Sequence, residues 1–208
     1  MSFENRKENI ALWIEDKLNW IGIKELGLTR FFVCGGALRP NEPINDFDLY
    51  PINDVAFSHI RDRLALLKKY PFGRTVNADS YFINGYLVQL SKYMGNTIEE
   101  IVKDFDFAHT KFGVRVRLVD GRYKVVKCYF SAEYKDYVIS GKNKYTKGQA
   151  HPLDSLIRAF KYAKRGLLQP QDVVYDILDE FRARYGYSIN EGLPMEYIGE
   201  EDKKLMPT

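Results

Sequence analysis

Residues 31–51 read FFVCGGALRPNEPINDFDLYP, and they form the most informative segment of the chain. An aromatic and β-branched run from Thr29 to Cys34 is typical of a buried strand, and it leads into a glycine pair suited to a tight turn. A second short strand is predicted over residues 47–50, before a proline that lacks a ladder donor. The sequence therefore predicts two strands that bracket a loop.

The second of these strands carries two acids. Asp46 and Asp48 are spaced by two, so both carboxylates project from one face of a strand. Earlier in the loop, Gly35 and Gly36 lack side chains, which lets phosphate oxygens approach backbone N–H groups at a following helix start. Two hard oxygen ligands suit Mg²⁺ or Mn²⁺, which complete their coordination shells with water and substrate phosphates. The stretch thus predicts a joint metal and nucleotide site.

A strand, Gly-Gly, a short helix with its loop, and Asp-x-Asp on the next strand together resemble the signature of nucleotidyltransferases of the DNA polymerase beta-like superfamily. The resemblance implies that Asp46 and Asp48 bind two metal ions, and that an acceptor attacks the α-phosphate of a nucleoside triphosphate, ATP by default, with release of pyrophosphate. The wording GGALR is closest to the tRNA CCA-adding branch, but that branch has an Asp where this chain has Pro40. The acceptor it implies is open: RNA or tRNA, a protein, or a small molecule.

In the superfamily a third carboxylate usually comes from a neighbouring strand and helps to activate the attacking hydroxyl. The most natural strand here, residues 86–90, carries Gln89, which cannot act as a base. Asp106 is the preferred candidate, because a carboxylate between two phenylalanines needs a metal or a donor to stay charged. Asp104, two residues earlier, is the rival, and its position near the end of a predicted helix favours solvent.

Basic side chains supply candidate phosphate contacts. Arg158 and Lys161 are three apart on one face of a predicted helix, which resembles the basic helix that follows the catalytic half in several nucleotidyltransferases. For both residues a solvated helix face is an equally good interpretation. Arg39, just after the glycine pair, is a further candidate for phosphate binding.

The rest of the chain predicts a mixed sheet followed by helices. Asn84-Gly85 and Asp120-Gly121 each separate two strand-like runs, as type I′ hairpin turns do. The predicted helices are an amphipathic helix over residues 5–23, a helix over 54–70 capped by Asp54, a short helix with a capping box at Thr97 and Glu100, and helices over 152–165 and 171–185. We therefore predict an α/β (α+β) fold in which residues 1–130 form a catalytic part and residues 131–208 a helical part that closes the cleft.

Composition narrows the class of protein. With 208 residues, of which 45% are hydrophobic, the chain can bury a substantial core, and a net charge of +3 identifies no partner. Neither a secretory leader nor a membrane span is indicated, so a cytoplasmic protein without membrane contact is expected. The two cysteines and three histidines lack metal-ligand spacing. Two rival interpretations are a catalytically degenerate nucleotide-binding module and a toxin, antitoxin or phage-defence component of the same fold.

Overall fold

A computed structural model describes residues 3–35, 38, 46–93, 95–148, 150–169, 171 and 173–186. Within these residues, seven strands form one mixed sheet with six α-helices around it, which confirms the predicted α+β fold. The strands are β1 (Arg30–Cys34), β2 (Phe47–Pro51), β3 (Gly73–Arg74), β4 (Ala78–Ile83), β5 (Tyr86–Ser91), β6 (Phe112–Val119) and β7 (Arg122–Phe130). The helices are α1 (Phe3–Ile21), α2 (Asp54–Leu66), α3 (Ile98–Lys103), α4 (Ala132–Ser140), α5 (Pro152–Ala163) and α6 (Val174–Tyr185).

The sheet has the strand order β3-β4-β5-β2-β1-β6-β7. Only the pairing of β2 with β5 is parallel among the described strands, and α2 and the β3–β4 strands lie in the connection between them. This connection is needed because parallel strands cannot be joined by a tight turn. Strand β2, which carries Asp48 and directly follows Asp46, lies in the middle of the sheet.

Local turn chemistry forms the two hairpins as predicted. Asn84 and Gly85 have φ values of 49° and 85°, and Asp120 and Gly121 have φ values of 48° and 71°. Positive φ at both central residues defines the type I′ turn, whose twist matches that of the flanking strands. The β4–β5 and β6–β7 hairpins follow from these dipeptides.

The helix predictions need three corrections. The cap of α2 is Asn53 and not Asp54, because the Asn53 side chain accepts the Ala56 N–H at 2.9 Å. The same helix ends at Leu66, four residues before the predicted end, and Lys68 then adopts a φ of 54°. Helix α6 begins at Val174, three residues after the predicted start.

The hydrophobic core lies mainly on one face of the sheet. Helix α1 packs along β7, and α2 adds Ile60 and Leu64 to the same cluster as Phe47 and Leu49 of β2. On the opposite face, α3 covers the β1 side with a smaller cluster of Phe32, Cys34, Ile98, Ile101 and Val102. A third cluster joins α5 and α6 to Phe107. No helix in the described part of the chain is long and apolar enough to span a membrane.

Candidate active site

Strand β2 holds Asp48 on the sheet face opposite the main core, and Asp46 immediately precedes the strand. Phe47 and Leu49 are buried in that core, so the alternation of the strand turns Asp48 to the other face. In the register, Asp48 lies between Cys34 of β1 and Gln89 of β5. The backbone of Asp48 is thus fixed on both sides by neighbouring strands, and the residue as a whole is half-buried.

The turn after β1 lies directly against Asp48. Gly35 has a φ of 82°, which disfavours any residue with a Cβ, and a Cβ built there would be 2.9 Å from Asp48 Oδ2. The Leu38 N–H donates to the Gly35 carbonyl at 3.3 Å, and Leu38 is itself buried in the core. The positive φ therefore favours glycine at position 35, and any side chain there would also displace the Asp48 carboxylate. Gly36 and Arg39, predicted to bind phosphate, lie outside the described residues.

Among the described residues, positive charge compensates the acid pair only in part. Burial and, to a lesser extent, the neighbouring Asp46 raise the pKa of Asp48 to about 7, a value that already includes the opposing effect of the positive charge of Lys161. Burial, with Asp48 as the second cause, also holds the Cys34 pKa well above its usual range. The site therefore concentrates negative charge where water solvates it poorly, and Lys161 on α5 lies within range of that charge.

This arrangement fits a divalent cation held by two carboxylates. Such an ion would relieve both the repulsion between Asp46 and Asp48 and the cost of burying Asp48, and carboxylate oxygens are the donors that Mg²⁺ prefers. Within the described ranges no group of three or more His, Cys, Asp and Glu side chains is arranged to hold a metal ion. The donor set that these residues provide is thus the Asp46 and Asp48 pair.

Asp106 is buried and is paired with Arg158. The Arg158 Nε donates to Asp106 Oδ2 at 2.8 Å, and Nη2 of the same guanidinium lies 2.6 Å from that oxygen. The Asp106 carbonyl accepts the Thr146 N–H at 2.9 Å, which fixes the backbone beside the bridge between Phe107 and Tyr145. Two residues predicted for different roles, a metal ligand and a phosphate contact, are thus bound to each other.

Asp104 occupies the C-cap of α3 and is only partly buried. Its Oδ2 accepts the Tyr93 hydroxyl at 2.7 Å, and this hydrogen bond, together with burial, raises the Tyr93 pKa to about 12. Asp104 is therefore engaged by a tyrosine outside the acid pair.

Sequence reasoning missed the Asp106–Arg158 ion pair, whose partners are 52 residues apart. The pairing depends on the close approach of residues 145–148 to residues 104–107. At Gly148 a Cβ would come 2.3 Å from the Asp104 carbonyl oxygen and 2.9 Å from the Asp106 nitrogen, so only glycine fits. The one signal in the sequence is this glycine in a polar loop, and a single glycine does not identify the segment against which it packs.

Comparisons with known proteins do not identify a family. No protein-family model matches the chain, and no curated protein matches it in sequence. A solved structure described as "tRNA-processing enzyme (apo form I)" aligns with a TM-score of 0.46 at 14% sequence identity. The alignment covers 69% of this chain and 37% of that one, so the chain spans little more than a third of that structure.

Proposed function

We propose that the protein is a metal-dependent nucleotidyltransferase, which transfers a nucleoside monophosphate from a nucleoside triphosphate, ATP by default, to an acceptor hydroxyl. The observation that carries this proposal is the Asp46 and Asp48 pair, poorly solvated and mutually repelling, beside the side-chain-free turn at Gly35. Two mutually repelling carboxylates attract a divalent cation, and a glycine beside them presents no side chain to approaching phosphate oxygens. Both are needed for attack at an α-phosphate.

In the proposed reaction, the acceptor oxygen forms a bond to the α-phosphorus while the bond from that phosphorus to the bridging oxygen breaks. Pyrophosphate leaves with the bonding electrons, and the hydroxyl proton passes to a base. Mg²⁺ or Mn²⁺, when bound, would neutralise charge on the phosphate oxygens and polarise the phosphorus. Asp46 and Asp48 hold the ion, and Gly35, with Gly36, lets the phosphates approach the backbone.

Helix α5 supplies the positive charge in this proposal. Lys161 already acts on Asp48 and neutralises a phosphate when one is bound. Arg158 lies one turn earlier on the same helix and can exchange Asp106 for a phosphate oxygen. Asp106 remains the proposed third carboxylate: both Arg158 contacts use Oδ2, so Oδ1 is the oxygen that meets a metal or the acceptor proton.

The test compares wild-type protein with Asp48→Asn, which removes one charge and keeps the side-chain shape. Each α-labelled triphosphate is incubated with Mg²⁺ and total cellular RNA and protein, and gels display both classes of acceptor. We expect label on one band with the wild type and none with Asp48→Asn. The control is Asp62→Asn, because Asp62 is exposed on α2. Equal labelling by wild type and Asp48→Asn would contradict the proposal.

A second candidate function, a nucleotide-binding module without turnover, is favoured by one observation. The residue paired with Asp48 on β5 is Gln89, and the candidate third acid, Asp106, is engaged by Arg158. Calorimetry with each triphosphate and Mg²⁺ separates the two functions. Binding that is weakened in Asp48→Asn, without any labelled product from the wild type, would favour the module.

A further inference from the structure

The sheet face that carries Asp48 continues across β5 and β4 towards the β3 edge. Asp48 pairs with Gln89, and Gln89 pairs with Ser80, so all three side chains lie on one face. Gln89 and Ser80 are partly exposed, whereas the β1 side of the same face lies under α3. A polar surface formed by Gln89 and Ser80, called the polar floor below, therefore extends from Asp48 towards the β3 edge of the sheet.

Two stacked phenylalanines lie at the end of this floor. Phe82 of β4 is 60% exposed, while Tyr81 and Ile83 on either side are buried in the main core, so Phe82 faces the same side as Ser80 and Asp48. Phe72, immediately before β3, stacks on it with ring centroids 4.5 Å apart and planes 16° apart, and Phe72 is 59% exposed. We call Phe72 and Phe82 the aromatic platform.

The platform lies within reach of the acid pair. Phe82 pairs with Leu87 on β5, and Val88, the next residue, pairs with Phe47, so Phe82 is level with Asp46. Two strand spacings separate β4 from β2, which places the two backbones about 10 Å apart. A short stretch of nucleotides spans this distance.

The chain around the platform is basic. Residues 61–74 contain five basic side chains and a single acid, Asp62, although the whole protein carries a net charge of only +3. Burial and the charge of Asp79 raise the Tyr81 pKa, and the guanidinium groups of Arg74 and Arg61 offset part of this rise. Both charges therefore lie near the β3–β4 edge, on the side of the sheet that Tyr81 faces. Positive charge beside exposed aromatic rings is the combination that binds single-stranded nucleic acid.

We infer that the aromatic platform stacks a base of a single-stranded nucleic-acid acceptor, while the surrounding basic side chains bind its phosphates. Every base offers a π-face, so such a platform selects single strands over paired ones with little preference for sequence. Delivery of the acceptor's terminal hydroxyl to the acid pair rests on the proposed nucleotidyltransferase function. The stacking itself does not.

The experiment measures fluorescence anisotropy of a labelled single-stranded oligoadenylate RNA without metal or triphosphate. We expect Phe82→Ala to weaken binding about 5- to 150-fold, the range found when one stacking side chain is removed. Phe82→Trp should retain binding, because indole keeps the aromatic face. Tyr175→Ala removes an equally exposed aromatic from α6 and should leave affinity unchanged. Since Phe82 is exposed, we expect the same thermal unfolding midpoint for all variants, which verifies folding.

An abasic strand of the same length separates stacking from charge. We expect it to bind wild type and Phe82→Ala equally, because it offers phosphates but no bases. Equal affinity of these two proteins for oligoadenylate, an equal loss on the abasic strand, or no binding by wild type would each overturn the inference. A dimer that depends on Phe82, in a protein that does not bind oligoadenylate, would also overturn it by assigning the platform to self-association.

Failure of the proposed function has a different signature. If wild type and Asp48→Asn bind oligoadenylate equally but neither transfers a nucleotide to it, binding by the platform is supported and the transferase proposal is not. If wild type transfers label to RNA and Phe82→Ala does so at the same rate at subsaturating RNA, the transferase function is supported and base stacking on the platform is contradicted.

Discussion

Removing the guanidinium of Arg158 should destabilise the protein through Asp106, which lies 52 residues away in sequence. Arg158→Met keeps the length of the side chain but withdraws both contacts, at 2.8 and 2.6 Å, from Asp106 Oδ2. The Asp106 side chain is only 8% exposed, so water cannot replace them. The variant therefore leaves a buried carboxylate without its ion-pair partner.

The magnitude follows from the burial of the two partners. Breaking a fully buried ion pair costs about 3–5 kcal/mol. Arg158 itself is 35% exposed, and the charge of Lys111 acts on the same region, so part of the cost is already screened. We therefore expect Arg158→Met to lower the free energy of unfolding by about 2–3 kcal/mol. Asp106→Asn combined with Arg158→Met should cost less than the two single changes added together.

Urea denaturation at pH 7 measures these differences in the free energy of unfolding. The slope of that free energy against urea concentration should be the same for all variants. Arg182→Met is the matched control, since Arg182 forms an exposed pair with Asp179 at 3.1 Å on α6, and it should cost less than about 0.5 kcal/mol. Equal effects of Arg158→Met and Arg182→Met, or additive effects in the double variant, would refute the reasoning.

Three further predictions follow from the contacts described above. Gly35→Ala should be more destabilising in urea than Gly121→Ala, because both glycines have positive φ but only Gly35 would place a Cβ 2.9 Å from Asp48 Oδ2. Asp48→Asn should raise the free energy of unfolding at pH 8 in EDTA, because it relieves repulsion with Asp46. Added Mg²⁺ should reduce this difference between the variant and the wild type. A variant less stable than the wild type in EDTA would contradict the prediction. Burial raises the Cys128 pKa to about 11, so iodoacetamide should react about a hundredfold more slowly than with free cysteine at pH 8, and faster as pH rises towards 11.

Elements with local causes could be predicted from the sequence. The β4–β5 and β6–β7 turns need positive φ at two successive residues, and Asn84-Gly85 and Asp120-Gly121 accept that geometry wherever they occur. The face that Asp48 occupies follows from the alternation of β2, because burying Phe47 and Leu49 leaves the acid no other side. The α2 cap shows the limit of this reasoning. Asn53 and Asp54 are both good caps, and only the backbone geometry selects Asn53.

Features that depend on distant contacts could not be predicted. The partner of Asp48 on β5 is set by the parallel register, which a long connection fixes and no turn motif encodes. Likewise, Asp106 meets Arg158 only because Gly148 lets residues 145–148 approach the backbone of residues 104–107. The sequence identified Asp106 and Arg158 as separate candidates. It contained nothing that would pair them.

This pairing bears on how a third carboxylate would act. With Arg158 held at Oδ2, Asp106 already has, without a metal, the donor that a buried carboxylate among phenylalanines requires. A bound triphosphate offers Arg158 competing oxygens of higher charge, and exchange of partners would then free Asp106 only when the substrate is present. Proton acceptance by Asp106 would then depend on nucleotide binding, because the Arg158 guanidinium pairs with either the Asp106 carboxylate or the triphosphate.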